Sequence, residues 1–270
     1  MKEYDFYIVP TPIGNLKDIT LRAIEILKSV DIIACEDMRV TQKLLNHYEI
    51  KTKCISYHKF NEKERISLFL EILKEGKKIA LVSDAGTPLF CDPGAVIVKE
   101  LRKQGFSVTS LAGANAVATF LSQVPREDED FVFVGFLPKS KSQIAEILNK
   151  YRKTDIVFYD SPNRILNTLE IINEYRPQST SSIGRELTKV FEEVVIDKTE
   201  NIIEYFHKNT LKGEIVGAVL RENSFDDDSI DLNEKISLLR AKGFKAKEIS
   251  TILSSLYNLN KNDIYQKCIS

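Results

Sequence analysis

Lys77-Lys78-Ile79-Ala80-Leu81-Val82-Ser83-Asp84-Ala85-Gly86-Thr87-Pro88 is the stretch that decides the fold class. Ile79 to Val82 is an apolar block without a polar break. That pattern reads as a short strand buried on both faces, as in a parallel sheet. It stops abruptly at Ser83–Pro88, a run of turn-forming residues. Ligands of open α/β sheets collect just past the carboxyl ends of such strands, where small residues let main chain approach closely. The competing reading is an ordinary strand-to-helix turn held by Asp84.

A second loop of the same character tips the balance. Phe6–Val9 reads as a first strand, and Pro10-Thr11-Pro12-Ile13-Gly14-Asn15 follows it. A helix comes next, with Asp18 as the expected N-cap and Leu21, Ile24 and Leu27 as its apolar face. A third small-residue loop, Ala112-Gly113-Ala114-Asn115-Ala116, follows the strand pattern Val108–Leu111. Neither a G-x-G-x-x-G nor a G-x-x-x-x-G-K-[ST] motif occurs, so nothing points to a nicotinamide or nucleoside-triphosphate site.

Strand and helix patterns alternate around these loops. Ile32–Cys35 reads as a strand, and Ile66, Phe69, Leu70 and Leu73 mark a helix that Gly76 closes. Another helix starts at Val96–Leu101 and ends at Gly105. This half, residues 1–121, fits an α/β layer with a mainly parallel sheet. Residues 122–130 are polar, contain Pro125 and read as a linker. In residues 131–221 the strands expected are Phe131–Phe136, Ile156–Tyr159 and the paired runs Phe191–Ile196 and Glu214–Leu220. Helices are expected near Ser142–Lys150, Asn163–Tyr175 and Thr199–Lys208. Longer strands separated by turns predict a mixed or antiparallel second sheet.

The chain has 270 residues and a net charge of −1, with 43% hydrophobic and 29% charged residues. These are the proportions of a soluble globular protein. The net charge conceals an acidic segment at 222–234 (−6) and a basic tail at 235–270 (+5). We read 222–232 as an acidic linker and 233–270 as a helix-turn-helix-like module. In that tail Ile249, Ile252, Leu253 and Leu256 form an apolar stripe, and Asn260 caps the last helix. The tail either contacts nucleic acid or is a solvated, lysine-rich helical face. No apolar run approaches the roughly 20 residues that span a bilayer. The start, Met1–Asp5, has no room for a signal peptide, so a cytoplasmic protein without membrane contact is expected. Four scattered cysteines suit reduced thiols, and three histidines lack metal-ligand spacing.

Read together, the loops resemble the tetrapyrrole methylase superfamily, and more narrowly the ribosomal RNA small-subunit methyltransferase I family. The phrases that carry the resemblance are Pro12–Thr20 with Leu21-Arg22, Glu36-Asp37 with Arg39, and Ser83–Pro88 with Asp92-Pro93-Gly94. Gly135–Pro138, Tyr159–Arg164, Arg185–Lys189 and Gly213–Val216 follow in the same order. The likeness covers about residues 5–221, and the tail resembles the family's C-terminal helical piece. Met38, Val40, Ala112 and Asn163 depart from the family's usual Thr, His, Pro and His.

The resemblance implies two α/β domains and a homodimer, with S-adenosyl-L-methionine between the halves. It implies 2′-O-methylation of a cytidine in 16S rRNA of the assembled small ribosomal subunit. Carried over, the cofactor contacts fall on Pro12, Ile13, Gly14, Asp84, Ala85, Gly86, Gly113, Asn115 and Ala116, with Tyr159 and Glu214 from the second half. Methyl transfer from a sulfonium needs no metal and no covalent nucleophile, and correct placement of the reactants supplies much of the rate. A general base would help draw the proton from a 2′-hydroxyl. Glu36, Asp37, Glu186 and Lys189 are the candidates, each with a structural ion pair as its competing role. Asp84 either accepts hydrogen bonds from the cofactor or holds its own loop.

For RNA, Arg39, Arg164 and Arg185 could fork onto phosphates, and His58 lies with Asn61 and Glu62 in a polar loop at the entrance. Lys139 and Lys141 belong to a basic patch with Lys150, Arg152 and Lys153. Two other functions compete: a porphyrin-type methylase, disfavoured by the glycine-poor first loop, and a non-catalytic ribosome-assembly protein, disfavoured by the intact Ser83–Pro88 and Gly113–Ala116 loops.

Overall fold

The computed structural model describes residues 3–126, 130–209, 211–221, 232–257 and 259–269. Chain contacts divide it into a unit of Met1–Arg221 and a unit of Glu222–Ser270. The expected acidic linker lies almost wholly in 222–231, outside the described residues, as do 127–129 of the polar linker.

The first unit carries two five-stranded sheets. One is built from β1 (Phe6–Ile8), β2 (Ile32–Cys35), β3 (Lys53–Ser56), β4 (Ile79–Val82) and β5 (Val108–Ser110), in the order β3-β2-β4-β1-β5. All its pairings are parallel, with Phe6 opposite Ile79 on one side and Val108 on the other. Alternate residues feed opposite faces. Phe6, Ile8, Ala34, Ile79 and Leu81 pack with α3 (Glu62–Lys74) and α4 (Ala95–Lys103). Tyr7, Val9, Ile33, Cys35, Ala80 and Val82 pack with α1 (Leu21–Ser29) and α2 (Met38–His47). Both faces are covered, which is why the inner strands β1, β2 and β4 read as unbroken apolar blocks. Each fully buried Ile, Leu or Val contributes roughly 1.5–3 kcal/mol.

Helix α1 departs from expectation. Its N-cap is Thr20, whose hydroxyl accepts the Ala23 N–H, while Asp18 ends a single 3-10 turn at Leu16–Asp18. Leu21 is 81% exposed, while Leu27 is buried and Ile24 packs partly buried beside it as expected, with Ala23 completing the face.

The second sheet comprises β6 (Phe131–Phe136), β7 (Asp155–Asp160), β8 (Thr180–Arg185), β9 (Glu193–Lys198) and β10 (Ile215–Val219), ordered β6-β7-β10-β8-β9. β6 runs parallel to β7, and the remaining pairings are antiparallel. The mixed sheet is the expected one, but β8 lies between the two runs read as partners, so β9 pairs with β8 and not with β10. One face packs on α6 (Lys141–Lys150), α7 (Ile165–Tyr175) and α8 (Thr199–Lys208) through Phe158, Ile165, Leu169, Ile172 and Phe206. The other face, with Val157, Val216 and Ala218, packs on Ile13 and on Val117, Phe120 and Leu121 of α5 (Ala116–Leu121). That shared cluster holds the first loop and α5 against the second sheet.

The C-terminal unit has three helices, α9 (Leu232–Ala241), α10 (Ala246–Tyr257) and α11 (Lys261–Ile269), around Ile236, Ile249, Leu253, Ile264 and Cys268. Asn260 takes the Asn262 N–H as expected of a cap. Leu256 is 69% exposed, so the stripe narrows to Ile249 and Leu253. No helix among the described residues is long and apolar enough to cross a membrane.

Candidate functional site

The three small-residue loops meet through main-chain bonds. The Thr11 and Gly86 amides each donate to the other's carbonyl at 2.9 Å. Gly86 has φ +79°, a left-handed conformation that glycine adopts without cost. The Thr11 hydroxyl donates to Ser83 O at 3.1 Å and the Thr87 hydroxyl to Ala114 O at 2.9 Å, tying the first and third loops to the one after β4. Asn115 starts α5 by accepting the Val117 and Ala118 amides. Its side chain is thereby spent on the helix end, leaving main chain and the small side chains Ala85, Gly86 and Ala116 to face the site.

A cavity of about 440 Å³ opens where these loops face the second sheet. Its size falls within the range of about 300–1,000 Å³ of small-molecule sites. Of the residues named from sequence as cofactor contacts, Ile13, Asp84, Ala85, Gly86, Asn115, Ala116, Tyr159 and Glu214 line it. Pro12, Gly14 and Gly113 do not. A Cβ on Gly14 would sit 2.5 Å from Lys189 Cγ and 2.8 Å from Leu187 O, and one on Gly113 would sit 2.5 Å from Pro10 Cβ. Those two glycines are needed for close packing behind the site.

Five carboxylates line the cavity: Glu36, Asp84, Asp92, Asp160 and Glu214. Burial raises the first three above the usual carboxylate range. The Asp84 charge raises Glu36 and Asp92 further, and Asp92 also acts on Glu36. For Asp84, the bond from the Asp37 amide at 3.0 Å partly offsets burial. Among the described residues no cluster is arranged to hold a metal ion.

Of the four candidate bases, Glu36 lines the cavity and the other three do not. Asp37 caps α2 and makes a forked ion pair with Arg39, which holds its carboxyl down to about 2. Glu186 accepts the Lys189 ammonium at 2.8 Å and the Glu214 amide at 3.0 Å, which clips the 186–189 loop to β10. Burial alone would lower Lys189, but its bonds to Glu186 and Glu214 outweigh burial and leave it raised.

The expected RNA contacts scatter. Arg39 is paired with Asp37 yet 88% exposed at its side chain. Arg164 donates to Leu137 O and Pro138 O and lies 3.5 Å from Asp160. Arg185 pairs with Glu193, and Lys141 with Glu174. Lys139 is exposed just past β6. His58 lies close enough to Glu36 to oppose its upward shift.

Sequence reasoning named Tyr159 but missed the aromatic wall it belongs to. Phe90 and Phe136 line the cavity beside it, together with Cys91 and Asp92. Phe90 stacks on Phe133 at 4.8 Å and 12°, and Phe133 and Phe136 flank Tyr159 at 5.0 and 5.5 Å. The available signal was Gly135 inside a strand, which marks a bulge. Burial, then the charges of Cys91, Asp92 and Glu214, push the Tyr159 phenol up to about 12, so it is a hydrogen-bond donor at neutral pH.

The family model for tetrapyrrole (corrin/porphyrin) methylases matches residues 5–203. This chain belongs to that family. Within it, proteins named ribosomal RNA small subunit methyltransferase I are similar along nearly the whole length. The Halalkalibacterium halodurans protein is 38% identical, over 96% of this chain and 92% of that protein. The Buchnera aphidicola protein is 40% identical, over 97% and 95%. The Hydrogenobaculum protein is 42% identical over 99% of its own length, which spans 83% of this chain. Among solved structures, diphthine synthase superposes with a TM-score of 0.64 at 13% identity, over 80% of this chain and 89% of that one. A cobalt precorrin-4 methyltransferase gives 0.59 at 15%, over 79% and 93%. These distant matches establish the fold, and the chain is a methyltransferase whose methyl donor is S-adenosyl-L-methionine.

Proposed function

We propose that this methyltransferase transfers a methyl group to the 2′-hydroxyl of a cytidine in 16S rRNA of the small ribosomal subunit. The observation that carries the reading is one cavity in which three main-chain-presenting loops face a carboxylate beside them. The relatives' names supply the RNA class. We further assign the enzyme to the cytoplasm as a homodimer, and divide its first unit into functional halves at 1–121 and 131–221.

The residues fit the donor. Ala85, Gly86 and Ala116 leave room at the wall, and the main chain beside them offers donors and acceptors. When bound, S-adenosyl-L-methionine supplies an electrophilic methyl group. Asp84 and Asp92 favour its positive charge. Glu36 takes the proton from the ribose 2′-oxygen. Its raised affinity for protons is the direction a base working near neutrality requires, and such a base contributes about 10²–10⁴-fold. The ring of Ile13 and Leu187 against Val216 keeps bulk water from that side of the site.

Two variants test the assignment. Gly86→Arg fills the loop beside Ile13, whose Cγ2 lies 3.3 Å from a Cβ built there, and donor binding by calorimetry is lost. Glu36→Gln keeps donor binding and lowers the rate of labelled methyl transfer to small subunits by at least about 100-fold. Mapping the label to a base atom, or to another RNA, would overturn the reaction assigned.

A further inference from the structure

We propose that Phe136, packed on Tyr159 in the cavity wall it shares with Phe90, is the stacking platform for a nucleobase of the RNA strand entering the site. This rests on the RNA reading above and adds the residue that holds the base.

The argument begins with backbone. Phe133 pairs with Val157 and Phe136 with Tyr159, so three steps along β6 oppose two along β7. Gly135, at φ +68°, absorbs the extra residue. In a regular strand residues 133 and 136 would point to opposite faces. The bulge puts both on the face of Val157 and Tyr159, and bulges beside active sites serve to re-aim a side chain. Its product is an unusual one: Phe136 is 63% exposed at the cavity, and Phe90 is 39% exposed. The two rings are held by neighbours, Phe90 flat on Phe133 and Phe136 against Tyr159. They therefore present rigid π-faces and lose little freedom on binding.

The loop after β4 shows how the cavity is shared. Gly86, near its start, faces Ile13 and Ala114, the small-residue side suited to the donor. Cys91, farther along, abuts Gly135, with its sulfur 3.5 Å from a Cβ built there. The same loop thus runs from the donor's side to the aromatic wall. Lys139, three residues beyond Phe136, is exposed, and the Arg164 guanidinium, 3.5 Å from Asp160, docks on the carbonyls of Leu137 and Pro138 in between. An exposed aromatic face flanked by cations is the chemistry that holds single-stranded nucleic acid.

The test uses the full-length enzyme, purified small ribosomal subunits and S-adenosyl-L-methionine, with Phe136→Ala, Phe136→Leu and Phe136→Trp. Losing one base stack weakens binding about 5- to 150-fold. Phe136→Ala and Phe136→Leu should raise KM for subunits by at least about fivefold. Donor Kd should stay within about twofold of the parent, and Phe136→Trp should restore KM. Donor binding also reports that each variant is folded. A Leu variant equal to the parent shows that bulk alone matters and overturns the proposal. An equal loss of donor affinity assigns the ring to the donor and overturns it as well. A parent enzyme that binds donor yet methylates no subunit removes the RNA reading and this proposal with it. A parent active on subunits with an unaffected Ala variant removes this proposal alone.

Discussion

Gly14→Ala is the sharpest test of how the two sheets are joined. The added Cβ would lie 2.5 Å from Lys189 Cγ, 2.8 Å from Leu187 O and 2.8 Å from Thr188 Oγ1. Lys189 can swing away at the cost of its bonds to Glu186 and Glu214, but Leu187 O is main chain and must move with its loop. Overpacking of this kind costs about 1–3 kcal/mol. For a unit of this size each kcal/mol lowers Tm by about 2–4 °C, so a drop of about 2–12 °C is expected. Ile13 and Leu187 both line the cavity, so separating their loops also weakens donor binding. Gly76→Ala is the control. It has φ +79° with no atom within 4 Å of the new Cβ, so left-handed strain of about 1–2 kcal/mol is paid far from the site. Thermal unfolding and donor calorimetry on both variants decide the matter. Gly14→Ala with an unchanged Tm, or with a lower Tm and full donor affinity, would refute the reasoning.

Three more outcomes follow from the geometry. Asn115→Ala removes the acceptor of two α5 amides and should cost about 0.5–2 kcal/mol in denaturant unfolding, whereas an unchanged midpoint would deny the cap its role. Glu36 binds its proton more tightly folded than unfolded, so its charge opposes folding once pH rises above the ordinary carboxylate range, and fully above its own raised value. Glu36→Gln should therefore raise Tm at pH 7 and leave it unchanged below pH ~4, and equal gains at both pH values would contradict the sign. Deleting residues 233–270, most of a unit with its own core, should leave donor binding intact while slowing methyl transfer to subunits. Equal rates would remove the docking role.

The parallel half was legible because both faces of its sheet are buried, and an apolar block such as Ile79–Val82 has no other stable use. β8 was not, because Thr180-Ser181-Ser182 looks polar. The structure buries Ser181 fully and spends its hydroxyl on Thr199 at 2.8 Å, a partner 18 residues away that periodicity cannot show. β3 escaped notice as a four-residue edge strand, half exposed. In the site, small-residue loops marked the Ala85, Gly86 and Ala116 wall. Gly14 and Gly113 look the same in sequence, yet they serve packing between elements far apart in the chain. Asp37 and Lys189 carry reactive groups, but their nearest partners are structural, and only distances reveal that. The aromatic wall was hidden because Phe136 reads as the end of an ordinary strand, and only the bulge at Gly135 turns it to the cavity face.

The reciprocal Thr11–Gly86 link has a consequence for how this enzyme tolerates change. No side chain takes part in it, so most replacements at Thr11 would leave the link itself standing, whereas any side chain at Gly86 strains its left-handed main chain, and proline at either end, lacking the amide, would remove one of the two bonds. Mutational drift can therefore rewrite the Thr11 side of the joint without opening it, while the Gly86 side stays fixed.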